Sequence, residues 1–154
     1  MREKWDEAEA RHAIAAYAGS EGPLLPMLHA LQARFGCIPP EATPFLADAL
    51  NLSRAEVHGV ISFYHDFRTS PPGKVVVKVC RAEACQAMGG PAAADALLRR
   101  LGVNWGETSA DGAVTIEPVY CLGLCAAAPA ALIDGKPHAR LNGPRLIDAV
   151  EAAK

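Results

Sequence analysis

No stretch of this chain approaches the ~18 consecutive apolar residues that span a bilayer; the nearest, Ala126 to Ile133, is interrupted by Pro129. The start, MREKWDEAEARH, is charged and lacks the apolar run of a secretory signal. Neither a Walker A loop nor a Gly-x-Gly-x-x-Gly turn is present, which argues against nucleotide binding by the chain itself. Charge of one sign is not in excess either. Fifteen basic and 17 acidic residues leave −2 overall, divided as −3 up to Ser70 and +1 beyond it, so neither half reads as a binder of polyanions. Cys-x-x-Cys is missing, and with it the signature of a thiol–disulfide exchanger. The five histidines, His12, His29, His58, His65 and His138, show no paired metal spacing. There is no internal repeat and no low-complexity segment. The expected location is cytoplasmic, where clustered cysteines more often bind metal or do redox chemistry than form disulfides.

What remains is a 154-residue chain, 51% hydrophobic, able to bury a core as one domain or two small ones. The first seventy residues read as three or four short helices, a weaker one between about Glu7 and Ala18. Leu24, Leu28, Leu31 and Phe35 line one helical face that stops before Gly36 and Pro39–Pro40. Thr43–Pro44 offers a cap with proline at the first helical position. Ser53-Arg54-Ala55-Glu56 has the spacing of a capping box, followed by Val57, Val60 and Ile61. Ser70-Pro71-Pro72-Gly73 breaks both patterns, so the expected domains are residues 1–70 and 74–154. Past the break, Lys74 to Val79 reads as a buried strand and Val114 to Val119 as a second. Pro91 opens a helix that Gly102 closes. Ala131–Ile133 and His138–Leu141 suggest a hairpin, and Leu146, Ile147 and Val150 a last helix after Pro144. The order β-α-β-β-β-α suits a small α/β sandwich with a parallel first crossover and an antiparallel edge.

Four of the five cysteines form two tight pairs: Cys80 and Cys85 with four residues between them, Cys121 and Cys125 with three. Thirty-five residues separate the pairs, and each pair lies at the end of an expected strand. Two loops leaving neighbouring strands on one edge would present four sulfurs to one point, two for each iron of a [2Fe–2S] cluster. Gly89, Gly90, Gly123 and Ala126 to Ala128 would let backbone N–H groups approach the sulfurs. Zinc also accepts four thiolates, although its structural sites usually include a two-residue spacing. Buried cysteines without a ligand role are a third reading. Cys37, beside Ile38, reads as a packed thiol rather than a fifth ligand. The run Phe63-Tyr64-His65-Asp66-Phe67 reads as core or interface packing, and Arg99–Arg100 as a solvated helix end.

At these residues the chain resembles the thioredoxin-like [2Fe–2S] subunit family. That family includes the small iron–sulfur subunit of NADH dehydrogenase, its counterpart in NAD-linked hydrogenases and the gamma subunit of NAD-dependent formate dehydrogenase. The spacing Cys80-x4-Cys85-x35-Cys121-x3-Cys125 carries the likeness, with Phe35-Gly36-Cys37-Ile38-Pro39, Gly59-Val60-Ile61-Ser62-Phe63-Tyr64, and Cys121-Leu122-Gly123-Leu124-Cys125-Ala126 with Pro129. The resemblance implies an α/β fold, a thioredoxin-like [2Fe–2S] ferredoxin domain preceded by a small N-terminal helical domain. It also implies that Cys80, Cys85, Cys121 and Cys125 hold the cluster. The first loop, Cys-Arg-Ala-Glu-Ala-Cys, departs from relatives with Gly-Thr or Gly-Ser before the second cysteine, and Arg81 and Glu83 bear on the cluster's potential.

No residue is placed to make or break covalent bonds in a substrate, so no catalytic residue is expected. The resemblance implies a non-catalytic electron-transfer subunit of an NAD-dependent oxidoreductase, working beside a flavin- and NAD-binding partner subunit. The compact length favours the gamma subunit of a soluble formate dehydrogenase, whose larger catalytic subunit would contain molybdenum, over the NADH:quinone oxidoreductase or hydrogenase counterparts. All-cysteine ligation favours a low potential, on the order of −400 mV as in plant-type centres. From another class, the alternative is a zinc-stabilised interaction module. Neither nucleic acid nor direct membrane insertion is expected.

Overall fold

The computed structural model describes residues 5–154, so the first four residues of the charged start lie outside the described residues. The chain divides into two compact units, Met1–Pro71 and Pro72–Lys154.

The first unit is helical because its sequence supplies both apolar stripes and stop signals. Helix α1 (Glu7–Ile14) is capped by Asp6, whose carboxylate accepts the N–H groups of Ala8 and Glu9 at 2.8 and 3.1 Å. The expected helix continued to Ala18; the chain instead tightens into a 3-10 turn at Ala15–Tyr17. Helix α2 (Leu24–Phe35) buries Met27, Leu28, Leu31 and Phe35 and ends at Gly36, where φ is 77°. Helix α3 (Ala42–Leu50) begins earlier than Thr43–Pro44 suggested. The carbonyls of Pro39 and Pro40 accept the N–H groups of Ala42 and Thr43, so the diproline turn nucleates the helix without a side-chain cap. Helix α4 (Arg54–Phe63) carries the expected capping box. Ser53 Oγ accepts from Glu56 N–H at 3.2 Å, and the Glu56 carboxylate accepts from Ser53 N–H at 2.8 Å. The Ser53 N–H and the Ser53 hydroxyl, which donates to the same carboxylate at 2.8 Å, hold the Glu56 carboxyl below its usual range. Of the aromatic run only Phe67 is buried; Phe63 and Tyr64 face solvent, 72% and 42% exposed.

The second unit is a four-stranded sheet in the order β2-β1-β3-β4 with helices packed on it. Strand β1 (Val75–Cys80) runs parallel to β2 (Val114–Val119), from Val75 opposite Val114 to Cys80 opposite Val119. The crossover between them contains a short helix α5 (Glu83–Ala87) and α6 (Gly90–Leu101), which Gly102 terminates at φ 67°. Strand β3 (Ala131–Ile133) pairs antiparallel with β1 on its other side, and β4 (Lys136–His138) closes the edge. The hairpin is tighter than expected, with Lys136 rather than His138 opening β4. Asp134 and Gly135 both take positive φ (47° and 74°), the two-residue turn whose twist matches that of paired strands. Asp134 also ties the turn to β1, accepting from Val76 N–H at 2.9 Å. Pro137 is tolerated because β4 is an edge strand. Helix α7 (Gly143–Glu151) starts where Asn142 accepts the Arg145 N–H at 3.0 Å.

The core of this unit is apolar and closely filled. Val77, Val114 and Ile116 from the sheet meet Leu97 of α6 and Leu146 and Val150 of α7, each at most 1% exposed. Among the described residues no helix is long and apolar enough to cross a membrane. Leu97→Ala is expected to cost about 2–5 kcal/mol, the range for emptying a buried leucine site, read as a lower denaturation midpoint by circular dichroism. The comparable change at Leu101, only partly buried, is expected to cost less.

Candidate metal centre

Strand β1 ends in Cys80 itself, one residue further than the sequence suggested, while β2 stops at Val119, two residues before Cys121. Because Cys80 stands opposite Val119, the loops leaving both strands emerge side by side. Backbone bonds fix this arrangement. Arg81 N–H donates to the Val119 carbonyl at 2.7 Å, and Cys80 N–H to the Ala130 carbonyl at 3.0 Å. The first loop is thereby stitched to both ends of the segment that contains Cys121 and Cys125.

The sulfurs meet as two pairs. Cys121 Sγ and Cys125 Sγ are 4.0 Å apart, close to the ~3.8 Å separating two ligands of one tetrahedral metal with bonds of about 2.3 Å. Cys80 and Cys85 are likewise in side-chain contact. Among the described residues no three His, Cys, Asp or Glu side chains group around a single metal ion. The pairs differ in exposure: Cys80 and Cys85 are buried, Cys121 and Cys125 exposed. Cys80 and Cys85 belong to a small apolar cluster with Ala128 and Ala130, flanked by Val119, Leu122 and Leu124.

The electrostatics of the pairs follow from the backbone around them. Burial pushes the Cys80 thiol up. The N–H groups of Ala82, Cys121 and Leu122, with the Cys85 thiol, outweigh it and hold Cys80 below its ordinary range. Two of those N–H groups belong to the second loop, so the second loop helps to stabilise a thiolate of the first. Burial, reinforced by the contact with Cys80, pushes Cys85 up, and the contact with Cys121 does the same to Cys125. Cys80 is thereby the one of these three thiols that the backbone favours as a thiolate. Gly123 N–H donates to Cys121 Sγ at 3.4 Å. Cys121 has φ of 105°, a left-handed conformation rare for a residue with a side chain, as found where function fixes the backbone.

The small residues near the sulfurs serve different ends. Gly90 provides close approach: a Cβ there would sit 2.5 Å from the Cys85 carbonyl oxygen. Gly89 supplies a left-handed turn at φ 85° with open space around it. Ala127 and Ala128 direct their N–H groups to the carbonyls of Leu124 and Cys125, not to sulfur. The N–H groups of Ala82, Leu122 and Ala130, which do act on sulfur, were not legible in the sequence, since any residue carries that donor. Cys37 belongs to the helical unit, buried beside Ile38. The five histidines form no metal cluster among the described residues.

Gly90→Ala is expected to displace Cys85 and lower the iron bound per chain, measured colorimetrically after purification. Gly59→Ala, in open space on α4, is expected to leave iron content at the wild-type level.

Comparison with known proteins agrees with this architecture. Residues 10–154 match the family described as thioredoxin-like [2Fe-2S] ferredoxin. A subunit of the NADH-quinone oxidoreductase of Mycobacterium tuberculosis is 38% identical over 128 residues, covering 83% of this chain and 51% of that protein. The chain thus spans about half the length of the mycobacterial relatives it matches. NADP-reducing hydrogenase subunit HndA of Solidesulfovibrio fructosivorans is 35% identical, over 84% of this chain and 75% of that one. A solved structure of NAD+-reducing [NiFe]-hydrogenase in the air-oxidized state aligns with a TM-score of 0.69 and 32% identity, over 84% of this chain and 23% of the other. With the fold, the paired sulfurs and a family match over nearly its whole length, the chain belongs to the thioredoxin-like [2Fe–2S] ferredoxin family.

Proposed function

We propose that this chain is the electron-transfer subunit of a multi-subunit NAD-linked oxidoreductase, with one [2Fe–2S] cluster held by Cys80, Cys85, Cys121 and Cys125. The observation that carries the reading is the β1–β2 register, which sets Cys80 under the N–H groups of Cys121 and Leu122. Two sulfur pairs, each in contact within itself, suit a centre with two metals better than a single zinc ion. When bound, such a cluster supplies one-electron redox chemistry. The residues around it give it a place and a polarity. Buried Cys80 and Cys85 anchor it toward the core. Exposed Cys121 and Cys125 leave its other side near the surface, where a second redox group approaches without crossing a thick apolar layer. Backbone N–H groups from both loops offset the negative charge of the thiolates.

The partner in this reading is a flavin- and NAD-binding subunit whose flavin exchanges single electrons with the centre. The protein is expected in the cytoplasm. The finer assignment, the gamma subunit of an NAD-dependent formate dehydrogenase with a molybdenum-containing catalytic subunit, rests on the sequence resemblance. The relatives named above support the broader class.

Cys80→Ala and Cys121→Ser are each expected to retain little acid-labile sulfide, whereas Cys37→Ser is expected to match wild type. Equal sulfide in all three variants would refute the ligand set. Wild-type protein made in cells able to assemble such centres is expected to be reddish-brown, to bleach with dithionite and to give a paramagnetic signal on reduction. A colourless protein with stoichiometric zinc would favour the interaction module. Purification from native cells with the companion subunits decides the complex: molybdenum marks formate, nickel hydrogen, and membrane subunits quinone.

A further inference from the structure

Arg81 follows Cys80 directly in the first cysteine loop. Its backbone is fixed at both ends. The N–H bonds the Val119 carbonyl at 2.7 Å, and the carbonyl accepts the Gln86 side-chain amide at 2.8 Å. The side chain is held as well: the guanidinium carbon lies 4.9 Å from the centroid of the Trp105 ring. Trp105 is partly buried, packs against the sheet core, and is followed by Gly106, whose N–H bonds the Ile116 carbonyl at 2.8 Å. Cys80, Arg81 and Trp105 line one small recess of about 50 Å³ with Gln86, Gly90 and Asp95. A guanidinium over an aromatic face keeps its full charge, unlike one neutralised on a carboxylate. The carboxylates nearest by sequence or lining are Glu83 and Asp95, both exposed.

We propose that Arg81, clamped by Trp105, is a positioning residue that raises the reduction potential of the centre by standing as a fixed cation beside Cys80. The proposal rests on the reading of the four cysteines as cluster ligands. Reduction adds one electron and one unit of negative charge to a site already anionic, so a nearby cation stabilises the reduced form more than the oxidised one. Arg81 is exposed, so the ring contact does not keep its charge out of water; it fixes where that charge stands, whereas an unclamped side chain would sample many positions around the loop.

The test is a redox titration of the loaded protein, followed by paramagnetic resonance and visible absorbance, on wild type, Arg81→Gln, Arg81→Lys and Trp105→Leu. Poised at the wild-type midpoint, Arg81→Gln is expected to show a reduced-to-oxidised ratio about threefold lower, the size of effect an exposed charge exerts. Arg81→Lys is expected to remain near wild type, and Trp105→Leu to fall between the two. The gap between wild type and Arg81→Gln is expected to narrow as salt is raised. Identical midpoints in wild type and Arg81→Gln, both fully loaded, would overturn the role of Arg81. If Arg81→Gln assembles no centre, identical midpoints in wild type and Trp105→Leu would overturn it equally. Wild-type protein without iron or labile sulfide would instead overturn the ligand reading on which the proposal stands.

Discussion

The parallel pairing of β1 with β2 is the constraint on which the rest of the second unit depends. Its register sets Cys80 opposite Val119, and a shift of one residue would turn Cys80 to the other face of the sheet. Everything later in the chain is referred to that edge. The segment from Tyr120 to Ala130 leaves β2 and returns beside β1, because Ala130 accepts the Cys80 N–H and Ala131 pairs with Val79. Loops pinned at both ends lose little conformational freedom when they receive a ligand, which is the physical content of a preformed site.

The same pairing explains the polarity of the site. Cys80 and Cys85 sit where the sheet core meets α5 and the start of α6, and are buried by their neighbours. Cys121 and Cys125 ride on a loop that has left the sheet and face solvent. An electron carrier has two competing needs: shielding of its negative charge from water, which tunes its potential, and proximity to a partner. In the proposed function, one buried pair and one exposed pair would meet both. The close approach at Gly90 and the left-handed backbone at Cys121 are the local costs of this geometry.

The helical unit shows how far periodicity alone carries. Four-residue and three-residue spacings from Leu24 to Phe35 became α2, and the Ser53–Glu56 box became the cap of α4, because both signals are local, each spacing spanning about one turn. The start of α3 was misplaced because Thr43 looked like a cap while the real cap was a pair of proline carbonyls, which sequence patterns do not display. The aromatic run could not be divided between core and surface for a related reason. Burial depends on what lies opposite, and only Phe67 found a place in the core.

By itself the sequence determined the strands, the main helices, the identity of the paired cysteines and the family to which they belong, because these reside in spacing along one chain. The tertiary structure alone decided which sulfur is buried and which exposed, which N–H groups act on them, and that Arg81 lies over Trp105, 24 residues further along. Those properties arise between segments distant in sequence. The donors to sulfur are backbone groups that every residue carries, so no pattern of side chains announces them.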